Sequence, residues 1–505
     1  MGGLPHGEEI LSEVKALFLA YYFPPFGGGG VQRTTKYAKY LPSYGWEPVV
    51  VTIEENLVAL RDESLAKDLP LGLEVMRTNA WGLGIEHLLK RKAVQIPQGS
   101  GSASPTPEAD SLTPEADSPT AKADSLTPQA NLSTAAAASS PKNSFLRRVQ
   151  RRVRQVAKSL FLFAYTFMLY PDDRIGWYPF ALKVAKERLQ KGDIDLIYTT
   201  SAPFTAHLLG LRLKRLTGKP WVADFRDPWT GNEYLNFKRL RRPLDRFFEW
   251  RCIHHADRVI TVSKPLLEDL WRRYPQEPRD KFQMILNGYD EADLAAIPGG
   301  LPPDHSSTAQ PSRFCTFTYA GSFYQGITPR YFLQALDGLL SRGKLNPQDI
   351  RIRFLGQFGA ESRERISEFQ ARHPAVMEVL GYLPHQEAVA AMCLADVLLL
   401  FLNKEAGRGV LTQKLFEYLG SGNPILGMLP EGDAAQMIRK ARAGIAVSPE
   451  NVTMIQEAVL RLVQAWQEGT LAGQTDEDYI KQFSRKALAG ELAQVFNTLK
   501  GVNPC

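Results

Sequence analysis

Two stretches of this 505-residue chain combine residue types that can do chemistry on a phosphorylated or hydroxylated ligand. The strand-like run Val14–Ala20 leads into Tyr22-Phe23-Pro24-Pro25-Phe26-Gly27-Gly28-Gly29-Gly30-Val31-Gln32-Arg33. Glycines between a strand and a helix let the backbone approach a ligand, and the N–H groups that open the helix form an anion site. Gly28, Gly29 and Gly30 are therefore candidate binding residues, with a plain flexible turn as the alternative. The spacing is neither GxGxxG nor the P-loop pattern, which disfavours dinucleotide and P-loop chemistry. In the second stretch Asp224, Arg226 and Asp227 end a buried strand, where they can orient acceptor hydroxyls, stabilise developing charge, or simply form a structural Arg–Asp pair. No metal is expected. Asp193-Ile194-Asp195 precedes a strand, His254-His255 lies in a helix without further ligands, and the four cysteines form no CxxC pair.

The elements that must position these residues alternate apolar strands with helical periods. Val14–Ala20, Val49–Thr52, Ile194–Thr199, Trp221–Asp224 and Val259–Val262 read as strands buried in a parallel sheet. After Asn287-Gly288 a second series begins, with strands at Phe314–Tyr319, Ile350–Leu355, Val397–Phe401 and Pro424–Leu426. Two such series predict an α/β protein of two doubly wound domains facing a cleft, with ligands at the strand C-termini. The expected division is 11–293, 294–475, and a C-terminal helix over 476–500 that returns to the first domain. Gly99–Ser144 is rich in Ser, Thr, Pro and Ala, lacks aromatics and repeats Ala-Asp-Ser-Leu-Thr-Pro, so it is expected to be a disordered insertion in the first domain.

Charge narrows the partners. Leu146–Asp293 carries 28 Lys/Arg against 18 Asp/Glu, so the middle of the chain is basic although the whole is only +6. Leu146, Val149, Val153, Val156 and Leu160 share one helical face and Arg147, Arg151, Arg154 and Lys158 another. That pattern fits a helix on an anionic membrane surface or one packed on its own domain. No recognised nucleic-acid fold accompanies it. With no run long enough to span a bilayer and no secretory leader, the expected location is cytoplasmic, at most peripheral to the membrane.

The glycine loop, Thr199–His207, Trp221–Trp229, Ala256–Ser263, Asn287–Asp290 and Lys414–Leu426 together resemble a branch of the family 4 glycosyltransferases. The resemblance implies the GT-B fold, two Rossmann-like domains and a nucleoside-diphosphate sugar as donor substrate with no further cofactor. It also implies a retaining transfer, here to a lipid-linked or polysaccharide acceptor in cell-surface glycan synthesis. Glu417 matches the second glutamate of the E-x7-E motif, which accepts the donor ribose hydroxyls. Asn287 belongs to a matched motif. Thr412 can cap the helix that carries Glu417, and Lys414 in its first turn can lie against the diphosphate.

Eight residues before Glu417 stands Gly409, not the motif's first glutamate. Glu405 is the nearest substitute, with Arg408 also at hand. The arginine and lysine that relatives place after the first strand of the second domain are missing, so phosphate binding is expected either to shift onto Arg330 and Lys414 or to be weakened. A GT-B sugar epimerase and a catalytically silent sugar-nucleotide scaffold are the competing readings.

Overall fold

The computed structural model describes residues 14–57, 61–81, 169–230, 238–295, 313–323, 326–404, 409–471 and 475–501. The described residues up to Trp81 and from Pro171 onward form one compact unit. The expected insertion, the basic helical segment that follows it, and Glu405 lie outside the described residues.

The first lobe holds seven parallel strands: β1 (Val14–Leu19), β2 (Trp46–Ile53), β3 (Glu74–Thr78), β4 (Ile194–Thr200), β5 (Trp221–Phe225), β6 (Arg258–Thr261) and β7 (Phe282–Met284). Their order is β3-β2-β1-β4-β5-β6-β7. The second lobe has β8 (Cys315–Ala320), β9 (Ile350–Leu355), β10 (Met377–Gly381), β11 (Val397–Phe401), β12 (Ile425–Met428) and β13 (Gly444–Val447), ordered β10-β9-β8-β11-β12-β13. The central strands are continuously apolar because helices cover both faces of each sheet, as in Phe18 beside Val50 and Tyr198, all fully buried. In both sheets the order reverses beside the first strand, between β1 and β4 and between β8 and β11. Such switch points open the crevices in which doubly wound sheets bind ligands.

The helices of the first lobe are α1 (Gly29–Tyr40), α2 (Tyr178–Leu189), α3 (Thr205–Thr217), α4 (Lys238–His255) and α5 (Lys264–Arg273). Those of the second lobe are α6 (Arg330–Ser341), α7 (Ala360–Arg372), α8 (His385–Cys393), α9 (Gln413–Ser421), α10 (Asp433–Lys440) and α11 (Val452–Gln467). One face of the second sheet is covered by α6, α7 and α11 and the other by α8, α9 and α10. The chain then crosses back. Helix α12 (Arg485–Lys500) buries Leu488, Leu492, Val495 and Phe496 against Phe18, Trp46 and Tyr198 of the first sheet.

The two crossings are joined. Tyr289 N donates to Phe483 O at 3.1 Å, and Arg485 N donates to Tyr289 O at 2.7 Å. Gly288 must be a glycine here, since a Cβ would lie 2.1 Å from the carbonyl oxygen of Phe483. The ring of Tyr289 in turn fills the space a Cβ would take at Gly420 in α9, so the connector is packed directly onto the helix that carries Glu417.

Candidate active site

Where β1 ends, Gly28 adopts φ 96°, a left-handed conformation that glycine tolerates, and α1 begins at Gly29 with no side-chain cap. Arg226, just past β5, donates from Nη1 to the carbonyl of Gly30, and its Nε lies 3.6 Å from Asp227 Oδ2. The glycine loop, Arg226 and Asp227 thus meet at the C-terminal ends of β1 and β5.

Asp224 has a different role from the catalytic one its position suggests. It is fully buried, and its carboxylate accepts from Arg33 Nε at 2.7 Å and from the Tyr198 hydroxyl at 2.5 Å. Arg33, one turn into α1, is 1% exposed and donates further to Ile285 O at 3.0 Å, Leu286 O at 2.8 Å and Asn287 Oδ1 at 3.4 Å. Although burial disfavours its charge, the Asp224 carboxylate holds the guanidinium above its usual range. The structural Arg–Asp pair exists, but its arginine is Arg33, and it locks α1 to β5 and to the connector. Asn287 is part of that lock. His207 is also buried in the core, where it bonds Thr199 Oγ1 and burial pulls its imidazole down to about 3.

In the second lobe the C-terminal end of β11 leads to α9. Thr412 has the extended backbone of an N-cap, but its hydroxyl makes no hydrogen bond, so the expected side-chain cap is not formed. Lys414 packs its chain over Gly321, whose Cβ would fall 1.8 Å from Lys414 Cε, and its ammonium lies 5.5 Å from the centre of the Tyr319 ring. No hydrogen-bond acceptor or carboxylate pairs with it among the described residues. Burial pushes this ammonium below the usual lysine value, against the pull of Glu417. A half-buried Glu417 follows one turn later and accepts from Gln413 Nε2 at 3.3 Å. Arg330 sits elsewhere. It is exposed at the start of α6 and lines a hollow of about 150 Å³ with Thr328, Lys404 and Glu450, a hollow whose walls include neither Lys414 nor Glu417.

Gly409 explains its own departure from the motif. A Cβ there would lie 2.0 Å from Cγ of Pro265 at the start of α5, so the seam between lobes leaves no room for a glutamate.

Several residues at this seam carried no legible signal in the sequence. His385, first in α8, bonds Asp293 Oδ2 through Nε2 at 3.0 Å and Gln32 through Nδ1 at 3.2 Å, while its N–H donates to Asp62. Burial disfavours its charge, but the Asp293 hydrogen bond and the Glu417 charge raise its pKa above the ordinary value. Asp293 is held at about 2 by His385 and Lys36 in spite of its burial. Carboxylate oxygens of Asp68, Asp290 and Asp293 lie within 4.8 Å of one another, and two cations sit among them: the 1%-exposed Lys36 ammonium, 2.6 Å from Asp290 and 2.7 Å from Asp293, and the Lys39 ammonium, 3.0 Å from Asp290. Beside this cluster a small hollow of about 10 Å³, room for about one water, touches His385, Gln413, Glu417 and Arg485.

The comparisons agree with this architecture. Residues 140–293 match the model described as Glycosyltransferase Family 4, and residues 315–465 that of Glycosyl transferases group 1. Sucrose-phosphate synthase from Thermosynechococcus elongatus superposes with a TM-score of 0.55 at 14% identity, over 97% of this chain and 99% of that one. Anabaena HepE in complex with UDP-glucose gives 0.55 at 12% identity, over 96% and 99%. WaaG, a glycosyltransferase involved in lipopolysaccharide biosynthesis, gives 0.50 at 13% identity, over 95% and 99%. No curated protein sequence matches the chain. With two matched stretches in tandem, each on its own doubly wound lobe, the chain belongs to glycosyltransferase family 4 and is a glycosyltransferase of the GT-B fold.

Proposed function

We propose that the enzyme takes a nucleoside-diphosphate sugar as donor and transfers the sugar, with retention and without a metal, to a lipid-linked or polysaccharide acceptor in cell-surface glycan synthesis. The observation that carries the donor is Lys414, a half-buried ammonium with no ion-pair partner among the described residues, in the first turn of a helix whose N-terminal N–H groups and Thr412 hydroxyl are also available. A helix N-terminus and an unpaired cation favour a diphosphate. Glu417 then stands one turn away to accept the two ribose hydroxyls. In the reaction the bond between the anomeric carbon and the diphosphate oxygen breaks, the acceptor oxygen bonds to that carbon, and the acceptor's proton is released. Lys414 and the helix terminus stabilise the negative charge that gathers on the departing diphosphate, the work a metal does in other transferases. Arg226 and Asp227, with Gly28–Gly30, orient the acceptor hydroxyl in this reading, which the contacts of Arg226 with Gly30 and Asp227 support. HepE with UDP-glucose supports the donor class, and WaaG's part in lipopolysaccharide biosynthesis supports the acceptor class. Cytoplasmic action at an anionic membrane face belongs to the same proposal. Among the described residues no helix is long and apolar enough to cross a membrane.

A thermal-shift panel of nucleoside diphosphates and their sugars tests the donor. A ligand at one hundred times its dissociation constant adds about 2.7 kcal/mol to the native state, a readable shift. No shift with any of them contradicts the proposal. Product NMR then reads the anomeric configuration, and inversion would contradict the retaining step.

A further inference from the structure

Gln413, the first residue of α9, spends its whole side-chain amide on three partners from different parts of the chain. Its Oε1 accepts from Arg485 Nη2 at 2.7 Å, and its Nε2 donates to Gly288 O at 2.7 Å and to Glu417 Oε1 at 3.3 Å. A guanidinium on the oxygen side, with a carbonyl and a carboxylate on the nitrogen side, permits only one orientation of the amide. Gly288 belongs to the segment entering the second lobe and Arg485 to the segment leaving it, and the backbone bonds around Tyr289 hold the two together. Arg485 is 1% exposed, and Gln413 is the only hydrogen-bond acceptor of its guanidinium among the described residues, with Nη1 left unpartnered. Burial and the nearby Arg33 lower its pKa to about 10. An arginine kept in such a place, with its one acceptor on α9, fixes the amide rather than a counter-charge.

We propose that Gln413 is a positioning residue that ties the Glu417 carboxylate to both lobe crossings, so that donor affinity depends on how those crossings sit. This rests on the reading of Glu417 as the ribose acceptor. Movement of Gly288 or Arg485 draws the amide away and leaves Glu417 free to rotate. By linkage, a donor that needs Glu417 in place favours the arrangement of the crossings that holds Gln413.

The test is a calorimetric cycle with UDP as probe on the full chain: parent, Gln413→Leu, Glu417→Gln and the double variant. Glu417→Gln should weaken UDP about tenfold and Gln413→Leu about three- to tenfold, while the double variant should be no weaker than about the Glu417→Gln single, because both act through one carboxylate. A role in packing alone predicts a lowered melting temperature with UDP affinity kept, or penalties that multiply, and either result overturns the inference. Should Gln413→Leu fail to fold, Arg485→Met removes the donor that orients Gln413 and enters the same cycle. If Glu417→Gln itself leaves UDP binding unchanged, the ribose reading fails first. If Glu417→Gln weakens binding and the Gln413 and Arg485 variants do not, only the positioning role is lost.

Discussion

Replacing Asp224 by alanine separates a structural carboxylate from a catalytic one. Asp224 is 0% and Arg33 1% exposed at 2.7 Å, so the substitution strands a guanidinium that water cannot reach. Removing one partner of a buried ion pair costs about 3–5 kcal/mol. The Tyr198 hydroxyl, 2.5 Å from the same carboxylate, loses its acceptor as well and keeps the total at the upper end. At about 2–4 °C per kcal/mol for a lobe of roughly 250 residues, the melting temperature should fall by about 10–20 °C. Arg33→Met should be at least as damaging, because it also uncovers the carbonyls of Ile285 and Leu286. The double variant Arg33→Met/Asp224→Ala should recover part of that loss, since neither buried charge then remains. Differential scanning calorimetry on the four proteins completes the cycle. A fall of less than about 2 °C for Asp224→Ala, with turnover abolished, would refute the argument and return Asp224 to the chemistry.

Restoring the family's glutamate by Gly409→Glu should lower the melting temperature and the transfer rate together, because its Cβ would overlap Pro265; a faster enzyme would contradict the packing account. Gly321→Ala should weaken nucleoside-diphosphate binding about tenfold or more, as the new methyl, on a backbone with φ 153°, displaces the Lys414 side chain, and calorimetry with an unchanged affinity would count against it. The His385–Asp293 bond makes stability depend on pH in a definite direction. The raised His385 contributes fully below the unfolded value of 6.5 and is lost as pH rises through its folded value, whereas Asp293, lowered from 3.8 to about 2, contributes above 3.8 and is lost as pH falls towards 2. Their joint contribution should therefore be greatest between about pH 4 and 6.5 and decline on the alkaline side, and Asp293→Asn should flatten that decline in pH-dependent melts. An unaltered alkaline limb in the variant would disprove the assignment.

The sheets were legible because buried parallel strands are written as local apolar runs, and the repetition of strand and helix after Asn287-Gly288 announced the second lobe. The α9 site was legible for a related reason: Thr412, Lys414 and Glu417 lie within two turns of one helix, so their spacing alone fixes their relation. What stayed hidden depends on pairs far apart in the chain. Arg33 looks like any helical arginine until β5 and the 285–287 segment are folded around it. His385 meets Asp293 and Gln32 across the seam, and Arg485 meets Gln413 only after the chain has crossed back. The same limit misdirected Asp224, whose place at the end of a strand is shared by catalytic and structural carboxylates. Gly409 shows the converse, a residue that reads as a missing function in one dimension and as a packing contact in three.

The central claim is that the Lys414 ammonium waits for a diphosphate, and it makes two predictions of opposite sign for one substitution. Lys414→Met removes a half-buried charge that has no ion-pair partner among the described residues, so the melting temperature without ligand should stay the same or rise. Calorimetric titration with the nucleoside diphosphate that gives the largest thermal shift should show affinity lower by about 10- to 100-fold, the equivalent of about 1.5–3 kcal/mol for a hydrogen bond to a charged group. An affinity equal to that of the parent, or a free protein that melts lower because Lys414 was holding the lobe together, would contradict the account.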